Sequence, residues 1–157
     1  MFNKATRFFI AFLIVGASAL HAESLFGPKA KTSDLTLMLM PTRTRVVQLA
    51  FDLSKIRSFA LVTYEGTAKT RPYLHYWNGV EWAPLTLEEL TERGFLKQTP
   101  QRVVIIGDDS MVAPALLDAV AWSPEIHKIP SIKTVDIVNF LHPVLKFNNG
   151  ELEWLAG

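Results

Sequence analysis

The stretch from Arg102 to Val120, RVVIIGDDSMVAPALLDAV, constrains the fold more than any other part of the chain. Val103–Ile106 is an unbroken apolar run, which is typical of a central strand that is covered on both faces. After Gly107 the apolar residues recur at helical spacing. They are Val112, Leu116, Ala119 and Val120. A buried strand that passes directly into a helix predicts a layered α/β domain.

The rest of the chain adds further strands. Short runs rich in β-forming residues predict strands at 46–53, 58–66, 125–130 and 147–157, and the run at 35–40 fits either a strand or a helix. Asn78-Gly79 separates two β-rich runs, YLHYW and VEWAPL, and is the preferred pair for a two-residue hairpin turn.

Two more helices complete the pattern. Thr86 and Glu89 form a capping box that predicts a helix start, and Gly94 predicts its end. A third helix is predicted over 133–145, limited by Pro143. The sequence therefore predicts an α/β fold: a single small three-layer domain with a mixed sheet, a β-hairpin and about three short helices.

The N-terminus predicts export. Lys4 and Arg7 precede 13 apolar residues, Phe8 to Leu20, and the small residue Ala22 follows. This is the layout of a secretory signal peptide with cleavage near Ala22. The alternative is a membrane anchor, but 13 residues fall short of the roughly 20 that span a bilayer. We therefore expect a signal peptide over 1–22, a flexible lead-in over 23–34 and the single α/β domain over 35–157, in a periplasmic or secreted protein that meets the membrane only before cleavage.

Charge and cysteine content exclude several classes of function. Removal of Lys4 and Arg7 lowers Lys+Arg from 16 to 14 against 15 Asp+Glu, so the exported chain has a net charge of −1. A near-neutral chain has no electrostatic footprint for nucleic acid. The chain has no cysteine, which excludes disulfides and thiol chemistry.

Polar residues follow three of the predicted strands. They are Glu65 in Tyr64-Glu65-Gly66, the turn Gly107-Asp108-Asp109-Ser110, and Ser131 with Thr134. Ligands bind at the carboxyl ends of strands in open α/β sheets, so Glu65, Asp108, Asp109 and Ser110 are candidate binding residues. The structural alternative is that Asp109 or Ser110 only caps the helix that follows.

The block VVIIGDDS resembles the opening block of SGNH (GDSL-type) hydrolases, in which a strand ends in Gly-Asp-Ser and the serine is the nucleophile. The resemblance covers about eight residues and implies Ser110 as nucleophile, with Asp108 in the site. A second aspartate intervenes here, and the chain has no Asp-x-x-His to supply the base. A nucleophilic serine requires a positioned base.

Metal and phosphate sites are less well supported. Asp108, Asp109 and Glu65 could offer oxygen ligands to Ca²⁺ or Mg²⁺, but no loop has carboxylates at ligand spacing. There is no Gly-x-Gly-x-x-Gly and no Gly-Lys-Ser/Thr, and two aspartates at one turn repel phosphate. We predict no metal and no cofactor.

Aromatic residues of the hairpin give a second candidate surface. Tyr73, Tyr76, Trp77 and Trp82 either pack across the strands or form a stacking platform for sugars or a partner chain. Tyr73, Trp77 and Trp82 are the candidate binding residues among them. Together these observations predict an exported, non-catalytic accessory or binding domain of the cell envelope, whose partner is an envelope protein or a cell-surface polymer. The alternatives are a small secreted SGNH-like hydrolase acting at Gly107–Ser110, and a structural module that self-assembles.

Overall fold

The computed structural model describes residues 34–157, so the predicted signal peptide and nearly all of the lead-in lie outside the described residues. The strands are β1 (Thr36–Pro41), β2 (Phe59–Glu65), β3 (Tyr73–Trp77), β4 (Trp82–Leu85), β5 (Arg102–Ile106) and β6 (Ile126–Ile129). The helices are α1 (Thr44–Ile56), α2 (Leu87–Glu92), α3 (Pro114–Ala119), α4 (Thr134–Leu145) and α5 (Asn149–Ala156).

The six strands of the described residues form one mixed sheet in the order β4-β3-β2-β1-β5-β6. β2, β1, β5 and β6 run parallel, and the β3–β4 hairpin continues the sheet antiparallel to β2. On one face of the sheet, α2 and α3 contribute to the hydrophobic core. On the other face, α1 and α4 form the core with the sheet, and α5 packs against the margin of this second core. The predicted three-layer α/β class is confirmed, with five helices where the sequence predicted about three.

β1 shows why the sheet is covered on both faces. All of its residues are buried. Leu37 and Leu39 enter the core beside α2 and α3, and Met38 and Met40 enter the core beside α1 and α4. The ambiguous run at 35–40 is thus an interior strand. Val103–Ile106 in β5 alternates in the same way, as predicted for a central strand.

The strand predicted at 46–53 is wrong, because these residues belong to α1. Its buried residues are Val46, Leu49, Ala50 and Leu53. Their spacing of three, four and seven places them on one helical face, and this period overrides the β preference of Val46, Val47 and Phe51.

The hairpin and the capping box are confirmed, with changes at their ends. The two-residue turn predicted at Asn78-Gly79 is wrong, because Trp77 pairs with Trp82 and the loop is four residues long, Asn78–Glu81. The side chain of Asn78 accepts hydrogen bonds from the backbone of Val80 and Glu81, both at 2.9 Å. The left-handed residue that ends α2 is Arg93 (φ 64°), not Gly94.

The last predicted strand, 147–157, is also wrong, because 149–156 is helix α5. Asn148 and Glu151 form a capping box at its start, and Glu151 is bound on its other side by Arg57. The helix predicted over 133–145 is confirmed as α4, with Pro143 inside its last turn. Within residues 34–157, no helix is long and apolar enough to cross a membrane.

Candidate functional site

The parallel strands bring the predicted strand-end residues to one edge of the sheet, here called the carboxyl edge. Glu65 ends β2, Gly107 follows β5, and Ser131 lies just beyond β6. The end of β1, Pro41 with Thr42 and Arg43, lies between β2 and β5 on this edge. Sequence analysis missed this fourth strand end, because the run at 35–40 was not assigned to a strand.

Tyr64 lies at the crevice where ligands usually bind in such sheets, a cleft of about 370 Å³ that is lined by Pro41, Thr42, Arg43, Tyr64, Glu65, Gly66 and Met111. Strand order reverses between β1 and β5, since the chain continues to β2 on one side and to β6 on the other. Tyr64 is 2% exposed, and its phenolic hydroxyl donates a hydrogen bond of 2.6 Å to the carbonyl oxygen of Ile106. Burial, with the nearby negative charge of Asp108, raises the pKa of the Tyr64 phenol well above its usual value, so the group remains a neutral donor.

The turn after β5 is closed by its own side chains. The carboxylate of Asp108 accepts hydrogen bonds from the backbone N–H of Ser110 at 2.9 Å and from its hydroxyl at 2.5 Å. The serine side-chain hydrogen bond is the largest cause that lowers the pKa of Asp108, so this carboxylate is ionised at neutral pH. Asp109 forms an ion pair with Lys128 of β6.

The prediction that Asp109 or Ser110 caps the following helix is wrong. α3 begins at Pro114, and its N-cap residue Ala113 has no side-chain acceptor. The polar side chains of the turn are three or more residues too early in the chain, and Asp108 instead stabilises the turn itself.

No histidine ring in residues 34–157 is hydrogen-bonded to Ser110. His127 contacts Glu125 at 2.5 Å, and His142 stacks on Phe147. His75 lies on β3 and lines a different part of the surface. The hydroxyl of Ser110 therefore has Asp108 as its side-chain acceptor, and a carboxylate whose pKa is lowered is a weak base.

A cleft lies between α1 and the β2–β3–β4 part of the sheet, and we call it the α1–hairpin groove. Its volume is about 570 Å³. It is lined by Thr42, Thr44, Val47, Gln48, Phe51, Thr63, Glu65, His75 and Trp82. Helix α1 contributes the stripe of residues 44, 47, 48 and 51, which is adjacent to the stripe that it buries in the core.

One wall of the groove is aromatic. Trp82 lies 5.5 Å from Trp77 between ring centroids, and Phe51 of α1 meets both rings edge-on, at 5.1 Å from Trp77 and 5.9 Å from Trp82. Trp82 lines the groove, and Trp77 supports it from behind. Tyr76 faces the opposite layer and packs on Phe95. The hairpin aromatics thus divide between packing and a partly exposed surface.

Apart from Val47, the remaining lining is polar and carries one formal charge, that of Glu65. Thr42 and Thr63 donate long hydrogen bonds of 3.4 and 3.5 Å to backbone carbonyls. Glu65 is exposed and His75 is half-buried, and neither side chain is hydrogen-bonded within residues 34–157. Gln48 is exposed and makes only weak contacts of 3.4–3.5 Å with Asp52. These groups have free donors and acceptors for a ligand.

The structure therefore unites some predicted site residues and separates others. Glu65 and Trp82 line the same groove, although they were predicted as parts of two different sites. Asp108, Asp109 and Ser110 do not line it. Tyr73 is 75% exposed and is not part of the lining either. Gln48 was missed because 46–53 was predicted as a strand, and Thr44 and His75 were not predicted as site residues.

A second, basic cleft of about 430 Å³ lies on the other side of the start of α1. Arg43, Arg45 and Lys133 line it, and none of the three has an ion-pair partner among the described residues. Arg43 and Lys133 are the N-cap residues of α1 and α4, and neither side chain makes a capping hydrogen bond. Basic side chains have no acceptor for the free N–H groups of a helix start.

Within residues 34–157, no group of three or more histidine, aspartate or glutamate side chains is arranged to hold a metal ion. The α1–hairpin groove is thus the best-formed candidate for ligand binding on this part of the chain. Comparison with protein-family models, with curated proteins and with solved structures found no match to this chain.

Proposed function

We propose that this chain is an exported, non-catalytic accessory domain of the cell envelope, which binds an envelope protein or a cell-surface polymer through the α1–hairpin groove. The observation that carries the proposal is the groove itself: a preformed cleft of about 570 Å³ with one aromatic wall and several polar groups that are free to bind. Ligand sites in proteins commonly have this combination of volume, apolar surface and few polar groups.

The polar groups of the groove support binding rather than catalysis. Glu65 and His75 both line it, but no hydrogen bond joins them. Serine 110 and its acceptor Asp108 lie outside it. A nucleophile, a base and an orienting group within hydrogen-bond reach of one another are the minimum for covalent catalysis, and the groove has no such set.

The proposed export rests on residues 1–22 and is tested separately from binding. Cells that produce the protein are fractionated, and the N-terminus of the product is sequenced. We expect the protein in the periplasm or the medium, beginning at Glu23. A product that retains residues 1–22 and stays with the cytoplasm would refute export, whatever the groove binds.

Binding is tested by photo-crosslinking in the cells that produce the protein. p-Benzoylphenylalanine replaces Gln48, an exposed residue of the groove, and in a matched control it replaces Glu92, an exposed residue of α2 on the opposite layer. We expect one reproducible crosslinked species, protein or polymer, from position 48 and not from position 92. No crosslink at position 48, or the same products from both positions, would contradict the proposal.

The alternative is a small secreted hydrolase that uses Ser110 with Asp108. One observation favours it: Ser110 is exposed and its hydroxyl is bonded to a carboxylate at 2.5 Å. Purified protein is assayed against short acyl esters, beside Ser110→Ala and Asp108→Asn. Esterase activity that both substitutions abolish in folded protein would favour the hydrolase over the binding domain. Absence of activity in the parent and in both variants would refute the hydrolase hypothesis.

A further inference from the structure

We infer that the ligand of the α1–hairpin groove is a neutral saccharide segment of a surface polymer. This inference rests on the proposed function and narrows it, since it selects a polymer over a protein partner. Three features of the groove carry it: the state of the backbone beneath it, its charge and its aromatic wall.

The floor of the groove, which is formed by β2 and β3, has no free hydrogen-bonding edge. β2 is paired with β1 and β3, and β3 is paired with β2 and β4. An extended peptide gains most of its affinity by adding a strand to an exposed sheet edge. On this floor a peptide would meet only side chains. The free edge nearest the groove belongs to β4, which is only four residues long and includes Pro84, a residue without an N–H donor. The groove therefore favours a ligand that brings many hydrogen-bonding groups of its own.

The charge of the lining disfavours an acidic ligand. Glu65 is the one formally charged residue among the nine that line the groove. Of the three basic residues without an ion pair, Arg45 and Lys133 lie in the cleft on the other side of α1. Arg43 lines both that cleft and the cleft at the end of β1, but it does not line the groove. A carboxylate accepts hydrogen bonds from hydroxyl groups and repels anions. A neutral polyhydroxylated ligand matches this arrangement.

The aromatic wall of the groove matches the apolar face of a sugar ring. A pyranose ring has a face of C–H groups and a rim of hydroxyls, and the C–H face packs against the face of an aromatic ring. Trp82 is half-buried, fixed by Trp77 and Phe51, and lines the groove on the same side of the sheet as Glu65 and His75. A ring packed on Trp82 would therefore have hydroxyls within the part of the groove that holds polar side chains.

The inference is tested with the mature chain on a glycan array that includes neutral and acidic oligosaccharides of bacterial surfaces. Binders are then titrated in solution and followed by tryptophan fluorescence. We expect saturable binding of neutral glycans and a change in emission as Trp82 is covered. Glu65→Gln weakens binding about tenfold, since it replaces a charge-assisted hydrogen bond with a neutral one. Trp82→Leu weakens binding by a similar factor.

Matched controls separate the groove from the rest of the surface. Glu81→Gln changes an exposed carboxylate in the hairpin loop, outside the groove, and we expect less than a twofold change. Gln48→Ala tests the α1 side with an exposed residue whose loss leaves the core intact. Because Trp82→Leu could unfold the hairpin, its circular dichroism is compared with that of the parent, and Glu65→Gln and Gln48→Ala carry the test if it does.

The outcomes distinguish this inference from the function on which it rests. No binding to any neutral glycan, preference for acidic glycans, or binding that Glu65→Gln and Gln48→Ala both leave unchanged would overturn the saccharide inference. If photo-crosslinking at position 48 then captures a protein, the binding function stands and the ligand class is wrong. If neither experiment yields a ligand, both proposals fail.

Discussion

The phenolic hydroxyl of Tyr64 donates a 2.6 Å hydrogen bond to the carbonyl oxygen of Ile106, and this bond joins the ends of β2 and β5 across the end of β1. Directly beyond the acceptor, Gly107 has a φ of 139°, and a Cβ atom there would lie 2.2 Å from the Tyr64 oxygen. The two residues thus fit only because one is a glycine. Tyr64 also lines the cleft of about 370 Å³ at this switch point, which is smaller than the α1–hairpin groove of about 570 Å³.

The Tyr64 hydrogen bond is expected to stabilise the domain measurably. Tyr64→Phe removes the donor and leaves a buried carbonyl without this partner, which should lower the free energy of unfolding by about 1–3 kcal/mol. Urea denaturation at pH 7 measures the change. Tyr73→Phe is the control, because Tyr73 is exposed, and its effect should be within about 0.5 kcal/mol. Equal values for the two variants would show that the buried bond contributes nothing.

Gly107→Ala is expected to be among the most destabilising single substitutions in this chain. The alanine would have an unfavourable positive φ, and its Cβ atom would clash with the Tyr64 oxygen. The free energy of unfolding should therefore fall by about 3 kcal/mol or more. Gly79→Ala isolates the backbone part, since Gly79 has a φ of 101° and nothing lies within 4 Å of its Cβ position. We expect Gly79→Ala to lower the free energy of unfolding by about 1–2 kcal/mol.

A double variant identifies the atom responsible for the clash. In the double variant Gly107→Ala, Tyr64→Phe the phenolic oxygen is absent. Its free energy of unfolding should therefore fall by less than the sum of the two single-variant decreases, and the difference should be about 1 kcal/mol or more. Strict additivity in denaturation experiments would mean that the clash is relieved elsewhere.

The start of α1 is expected to be stabilised by an ordinary cap. Arg43 is the N-cap residue and makes no side-chain hydrogen bond, so Arg43→Ser should raise the free energy of unfolding by about 0.5–2 kcal/mol. Thr86→Ala, at the capping box of α2, is the opposite case and should lower it by about 1 kcal/mol. Thermal melts measure both effects, and we expect the Tm to rise in Arg43→Ser and to fall in Thr86→Ala. A Tm that does not rise in Arg43→Ser would indicate that another group already satisfies the start of α1.

The Arg57–Glu151 pair is expected to make the attachment of α5 dependent on pH. Two hydrogen bonds, of 2.5 and 2.8 Å, join the guanidinium to a carboxylate that is 7% exposed. The side-chain hydrogen bonds from Arg57 are the largest cause that lowers the pKa of Glu151, followed among the lowering effects by the backbone N–H of Asn148. A lowered pKa stabilises the folded state above the unfolded pKa of about 4.3, and this stability is lost as pH falls through the folded pKa.

Glu151→Gln measures that contribution. At pH 7 it should lower the free energy of unfolding by about 2 kcal/mol, and the difference from the parent should shrink as the pH falls from about 5 towards 3. Asp52→Asn serves as the control, because Asp52 pairs with an exposed lysine on the surface of α1, and its effect should stay below about 1 kcal/mol. A difference that grows at low pH would contradict the assignment.

Local sequence patterns predicted those parts of the fold that local physics determines. The buried run of β5, the Thr86 capping box and the presence of a hairpin around Asn78-Gly79 were predicted correctly, because each depends on neighbours within a few residues. The same capping pattern is present at Asn148 and Glu151, but the β-rich composition of 147–157 favours a strand there, and this prediction is wrong. At 46–53 the helical period was present too, and the β preference of single residues was given too much weight.

The tertiary structure decided what depends on residues far apart in the chain. Gly107 is 43 positions from Tyr64, and no local pattern indicates that one must lack a side chain to admit the other. Glu65 and Trp82 were each predicted as site residues, but only the placement of α1 over the β2–β3–β4 face joins them in one groove. The sequence thus predicts the export segment that we propose, and it determined most elements of the domain and the chemical groups that it offers, because these depend on composition and short-range spacing. Packing across the sheet determined which of those groups meet, since only long-range contacts bring them together.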